Sequence, residues 1–172
     1  DNYRLEIAFI LTALISLGWL MSVVVGMVFD LFPITHDSDA FTHTHSNQYL
    51  LINIIGQILI MGGIFSNNLT LMFEMVTVGL VLLTWGLISI AWPSWKLHIE
   101  SKQKEINCGN IALIPALLIP VSSLVVLGCW IFRQETGLLE FGFSFNVVVQ
   151  MGTIALSLIL AHFNRRLSWG LV

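Results

Sequence analysis

The stretch LMFEMVTVGLVLLTWGLISIAW, Leu71 to Trp92, decides the fold. It carries one charged residue, Glu74, near its start and no proline, and as a helix rising about 1.5 Å per residue it would cross the roughly 30 Å hydrocarbon core of a bilayer. Four other stretches approach or exceed that length. They are Ile7 to Phe29, Tyr49 to Phe65 with a polar flank that extends it to 46–65, Ile111 to Phe132, and Val147 to Phe163. The whole chain agrees, with 56% apolar residues, only 10% charged ones and a mean hydropathy of +0.88, values outside those of ordinary soluble domains. No segment alternates apolar and polar residues as a membrane barrel strand would. The expectation is an all-α integral membrane bundle of five transmembrane helices, with the lipid bilayer as its first partner.

The spans follow one another closely, so residues 1–172 read as one domain with no internal repeat. Ser66 to Thr70 predicts a tight hairpin between the second and third spans. Pro93 to Asn110 reads as a polar loop, and Arg133 to Asn146 as a mixed loop punctuated by glycine and serine. The first apolar run is too long for a signal-peptide core and reads as a retained helix. Cys108 and Cys129 fall at opposite ends of the fourth span, about 30 Å apart on a helix, and cannot pair within one chain.

Threading five spans through a bilayer places all five histidines, His36, His43, His45, His98 and His162, on the side opposite the N-terminus. Three of them lie in THDSDAFTHTHSNQ, residues 35–48, together with Asp37 and Asp39. Imidazole and carboxylate donors at this density suit copper, zinc or iron, so His36, Asp39, His43 and His45 are the candidate metal ligands. The spacing of His43 and His45 cuts two ways. In an extended segment both rings fall on one side and can share an ion; in a helix they diverge by about 200° and cannot. The competing reading is a solvated loop that keeps the hairpin out of lipid.

The helical alternative makes a pattern in the second span. From a helix start near Asp39, a competent N-cap, the residues Ser46, Asn53, Gly56, Gln57, Ile60 and Gly63 form one stripe. Amides in hydrocarbon need partners, and glycines admit another helix or a flat ligand, so the stripe should face the bundle, flanked by His43 and His45 at roughly 80° on either side.

Arg4 opening the first span, Pro33 in the loop, and His43-Thr44-His45-Ser46-Asn47 leading a span that contains Gly56 together resemble the start of the haem-copper oxidase and nitric oxide reductase subunit I superfamily, in its small single-domain form. The likeness covers about the first 65 residues. It implies a low-spin haem, of the b type, with an axial histidine at His43 or His45. The later histidine-bearing helices of the full oxidases have no counterpart here, so the resemblance does not extend to oxygen reduction by this chain alone. His162, in LILAHFNRR, sits at a similar depth to His45 and offers a second axial ligand between the second and fifth spans; otherwise it anchors a helix end beside Arg165 and Arg166. His98 lies among Trp92 and Trp95, the composition of an interfacial belt.

Sidedness is contested by the same residues. Lys96, Lys102, Lys104, Arg165 and Arg166 on the histidine side outnumber Arg4 and Arg133, which places that side in the cytoplasm, whereas the resemblance places it outside. Within the spans, Glu74 is expected to pair with Arg4 or Arg133, Gln150 to hydrogen-bond between helices, and Gly79 and Gly86, with Thr77 and Thr84 nearby, to mark a close-packed face. Pro115 and Pro120 are expected to kink the fourth span. Asn68-Leu69-Thr70 matches a glycosylation sequon in a turn too close to the bilayer to use it.

No nucleophile with an adjacent base, phosphate-binding glycine loop or paired-carboxylate site is visible, and nothing points to nucleic acid. Three functions follow: a haem- or metal-binding subunit of a redox or electron-transfer complex, taking haem b or a copper or zinc ion; an accessory subunit of a larger membrane enzyme such as an oxidase or a copper membrane monooxygenase; and a small transporter. The last has the least support, since the spans hold few ionisable residues and no inverted repeat. Other membrane subunits, or a second copy of the chain, are the expected protein partners.

Overall fold

A computed structural model describes residues 2–23, 25, 43–100, 108–152, 155–156 and 159, and every described element is helical. Helix α1 (Asn2–Ala13) runs on into a π-helical stretch, Leu14–Leu20. Helices α2 (His43–Ile64) and α3 (Leu69–Glu100) form a hairpin. Helix α4 (Cys108–Ile131) returns, and α5 (Thr136–Phe145) continues into a second π-helical stretch, Asn146–Gln150. Three segments are long and apolar enough to cross a bilayer, Tyr3–Val23, Asn47–Ile64 and Leu69–Trp92; Pro120–Ile131 and Gly137–Val149 are shorter apolar helices.

The α2–α3 hairpin is set by Asn68. Its side-chain Oδ1 accepts from the backbone N–H of Thr70 at 3.0 Å and of Leu71 at 3.4 Å, satisfying donors that the first turn of α3 leaves open. The apparent sequon is therefore a helix cap. With that turn fixed, glycine brings the two helices together: a Cβ on Gly79 would lie 2.6 Å from Ile60 Cγ1 and 2.8 Å from the Gly56 carbonyl oxygen, and one on Gly63 would lie 2.9 Å from Val76 Cγ2. Asn53, Gly56, Ile60 and Gly63 are all buried, as the stripe predicts.

Two expected loops are shorter than the sequence suggests. Helix α3 passes through Pro93 to Glu100 rather than ending at Trp92. Helix α5 begins at Thr136, where residues 133–146 read as loop, and only a tight turn separates it from α4, with Arg133 N–H donating to Trp130 O and Glu135 N–H to Phe132 O. Gly142 misled the reading, since glycine commonly punctuates turns. Here it is helical and seats α5, because a Cβ there would lie 2.6 Å from Cys129 Cβ and 2.8 Å from Phe9 Cε2.

The end of the bundle near that turn is an aromatic cluster. Phe9 stacks on Trp130 with ring centroids 6.0 Å apart, and Phe73 meets the same ring, tilted, at 5.9 Å. Trp130 Nε1 donates to Thr77 Oγ1 at 3.0 Å, and the Thr77 hydroxyl donates to Phe73 O. Arg133 lies 3.8 Å above the centre of the Phe73 ring and 3.5 Å from Glu6. It therefore pairs with Glu6, and the expected partner Glu74 is exposed.

Candidate functional site

Among the described residues, two polar groupings of the interior are built from side chains that apolar helices must satisfy internally. The first runs along α2. Gln57 Nε2 donates to Asn53 Oδ1, and Asn53 Nδ2 donates to the Tyr49 hydroxyl at 3.1 Å. Successive members are four residues apart, the spacing that stacks side chains on one helix face. Ser22 stands near the Tyr49 hydroxyl and donates to Gly18 O at 2.6 Å. Gln57 fits because Gly18 has no side chain; a Cβ there would lie 3.0 Å from Gln57 Cδ. A directed ladder of hydrogen bonds thus lines α2 against the helix that begins as α1.

The second grouping joins the two π-helical stretches. Ser16 Oγ donates to Asn146 Oδ1 at 2.7 Å, across 130 residues of sequence, and neither residue is accessible to solvent. Each of these residues also accepts the bond that closes its stretch: Met21 N–H bonds back to Ser16 O, and Met151 N–H to Asn146 O. π turns interrupt the α-helical ladder and recur at functional positions. Neither was foreseen. The sequence signal is an asparagine and a serine, each embedded in an apolar run, with Asn146 reading as the end of a loop.

The sequence-predicted ligands are placed only in part. His43 and His45 open α2, on helical backbone, so their positions are about 200° apart around the axis. The two-ring chelate available to an extended segment is not the geometry of this helix. Position 45 stands one turn before Tyr49, at the head of the ladder. His36, Asp37, Asp39 and His162 lie outside the described residues, as does the expected N-cap at Asp39. His98 is on α3 at its far end. Among the described residues no three of His, Cys, Asp and Glu come together in a metal-binding group.

Gly56 receives another helix: a Cβ there would lie 3.0 Å from Leu83 Cδ2 and 3.1 Å from Gly79 O, leaving no space for a flat ligand at that point. Comparison with protein-family models, curated proteins and solved structures returns no match.

Proposed function

We propose that the chain is an integral membrane bundle of five transmembrane helices, working as a haem- or metal-binding subunit of a larger redox assembly. Its inverted polarity supports the membrane setting. Ser16, Asn53, Thr84, Ser122, Ser123 and Asn146 are buried, while Trp19, Leu51, Ile58, Trp85 and Val148 are more than half exposed. Water would penalise such an outer surface, and hydrocarbon accepts it.

The ligand assignment is carried by one observation: the ladder Tyr49–Asn53–Gln57 faces inward and begins one turn after His45. His45 would supply one ligand from the head of that face, and His43, about 200° away around the same helix, would not share the ion with it. The remaining ligands then come from His162, from residues 35–42, or from a neighbouring subunit. Haem or copper held there would supply one-electron chemistry, and the inward amides and the Tyr49 hydroxyl would fix the surrounding hydrogen bonds.

A second reading rests on the closed Gly56–Gly79 contact. A seam packed to this density has no room for a prosthetic group, as expected of an accessory subunit whose role is packing surface. Oxidised and dithionite-reduced absorption spectra of the detergent-purified chain, with iron, copper and zinc analysis of the same sample, separate the two. A Soret band that shifts on reduction and disappears in His45→Ala supports the haem ligand; stoichiometric copper or zinc without that band supports an ion site. A colourless, metal-free protein that co-purifies with other membrane subunits supports the accessory reading.

A further inference from the structure

Two outward lines of residues, one on the helix that begins as α1 and one on the helix that begins as α5, are complementary in charge and in size. Arg4, Leu11, Ile15 and Trp19 follow one another at helical spacing and share one face of the first helix. All four are exposed, Trp19 at 69%. On the α5 helix the face turned away from the bundle carries Gly137, Glu140, Ser144, Val148 and Gly152, likewise exposed. One line is bulky and headed by a cation. The other is small at Gly137, Ser144 and Gly152 and carries a carboxylate inside the apolar helix Gly137–Val149.

The glycines on the two sides of α5 differ in use. Gly142 is closed off by Cys129 and Phe9 of the same chain, whereas a Cβ on Gly137 or Gly152 would meet nothing within 4 Å. Small residues are what helix–helix interfaces in bilayers are built from, because they let a bulky neighbour approach. Glu140 makes the same point in charge. Ionisable residues in apolar membrane helices are costly and turn toward protein partners. Inside this chain Arg133 pairs with Glu6, which leaves the charges of Arg4 and Glu140 at the surface.

Depth decides which residues can meet between copies. Phe9 lies against Gly142 and Ser16 bonds to Asn146, so the two helices run in the same direction, and a residue of the first is level with one 130–133 positions later. Copies in one bilayer share the same depth, so this register holds between chains as well as within one. Trp19 is then level with Gly152, and Arg4 lies about one turn from Glu140, within the reach of an arginine side chain. Because the two helices are neighbours, a two-fold axis along the membrane normal sets α1 of each copy against α5 of the other and makes the contact twice.

We propose that the α5 face of Glu140, Ser144 and Gly152 is a docking surface for the α1 face of a second copy of this chain, with Arg4 paired to Glu140 and Trp19 seated at Gly152. It rests on the membrane setting of the bundle and is independent of any haem or metal.

The full chain, labelled in separate batches with donor and acceptor dyes and reconstituted together in phosphatidylcholine vesicles, tests it by energy transfer over a series of lipid-to-protein ratios. Flotation and alkaline extraction of the same vesicles come first. A chain that is stripped off removes the membrane setting and the proposal with it, whereas an inserted chain with no transfer above random proximity overturns the proposal alone. The inserted wild type is expected to self-associate. Arg4→Glu and Glu140→Arg, taken singly, should each weaken association by about tenfold, and the two together should restore it. Gly152→Leu should weaken association while leaving the Tm in detergent unchanged, since nothing in the chain lies within 4 Å of that Cβ position. Association that survives all three single variants, or a double charge reversal that restores nothing, overturns the proposal.

Discussion

Helices α2 and α3 meet through glycine, whereas α1 and α5 continue into π turns that meet through a serine and an asparagine. The first seam gains dispersion contacts by removing side chains, so that the Gly79 Cα region reaches the Gly56 carbonyl and Ile60. The second keeps its polar side chains and must satisfy them, which it does for Ser16 and for Asn146 Oδ1 but not for Asn146 Nδ2. In a bilayer the hydrophobic effect does not drive helices together, so packing and interhelical hydrogen bonds carry association. The difference teaches where each seam is vulnerable. Added volume breaks the glycine seam, and lost polarity loosens the other.

The largest effect is therefore expected at Gly79. Gly79→Ala places a methyl group 2.6 Å from Ile60 Cγ1 and 2.8 Å from a backbone oxygen that cannot rotate away. The hairpin must open, at a cost of about 2–3 kcal/mol, read as a drop in thermal midpoint in detergent. Gly86→Ala on the same helix is the control. Its Cβ would meet Tyr49 Cδ2 at 3.4 Å, ordinary contact, and alanine is the better helix former, so stability should change by less than about 0.5 kcal/mol. Equal losses at the two positions would show that the seam is not glycine-specific.

This seam was legible in the sequence because a period near 3.6 exposes it: Asn53, Gly56, Ile60 and Gly63 share a face on any helix, and Gly79 and Gly86 share another. The α1–α5 contact was not legible. A π turn has no compositional signature, and the Ser16–Asn146 pair joins residues that only the tertiary arrangement brings together. The start of α5 was missed for a related reason. Gly142 has the same role as Gly79, close approach, but lies in a short segment with Gly137 and Ser144, where glycine reads as punctuation. Pro93 likewise suggested a boundary that α3 passes through. Of the candidate site, the inward ladder beneath His45 is legible in the four-residue spacing of Tyr49, Asn53 and Gln57; the loop carrying His36 and Asp39, and the segment with His162, lie outside the described residues.

The second-largest effect tests whether Gly142 belongs with Gly79. A methyl group at Gly142 would lie 2.6 Å from Cys129 Cβ and 2.8 Å from Phe9 Cε2, both side-chain atoms. The Phe9 ring can turn away but Cys129 Cβ is fixed by its backbone, so Gly142→Ala should cost about 2 kcal/mol, at the lower end of the range for Gly79→Ala. Removing the opposing Cβ with Cys129→Gly in the same chain should recover part of that loss. Purely additive losses in the double variant would mean that the Cys129 contact does not seat α5.

The polar seam is probed by a double-mutant cycle of Ser16→Ala and Asn146→Leu in bilayer or detergent unfolding. Interhelical hydrogen bonds in membrane bundles couple by roughly 0.6 kcal/mol and at most about 1.7 kcal/mol. A coupling near 1 kcal/mol is expected here, because the 2.7 Å bond joins two residues with no exposed surface. Zero coupling would place the two π turns together for packing alone.

The smallest expected effect lies at the aromatic end, where Arg133 joins the helix ends by two weak interactions at once. Its guanidinium carbon lies 3.8 Å from the Phe73 ring centre while its Nε lies 3.5 Å from Glu6 Oε1. Lysine keeps the charge but loses the planar group that serves both partners. Both side chains of the ion pair are about one-fifth exposed, so screening limits the Glu6 contribution, and Arg133→Lys should cost only about 0.5–1 kcal/mol. Raising the salt concentration separates the two contributions. The Glu6 attraction weakens with ionic strength, whereas stacking on Phe73 and Trp130 is far less sensitive, so the difference between wild type and Arg133→Lys should shrink only slightly in high salt. A difference that vanished would assign the contact to charge alone, and would leave the aromatic cluster held by Phe9, Phe73 and Trp130 without the cation above it.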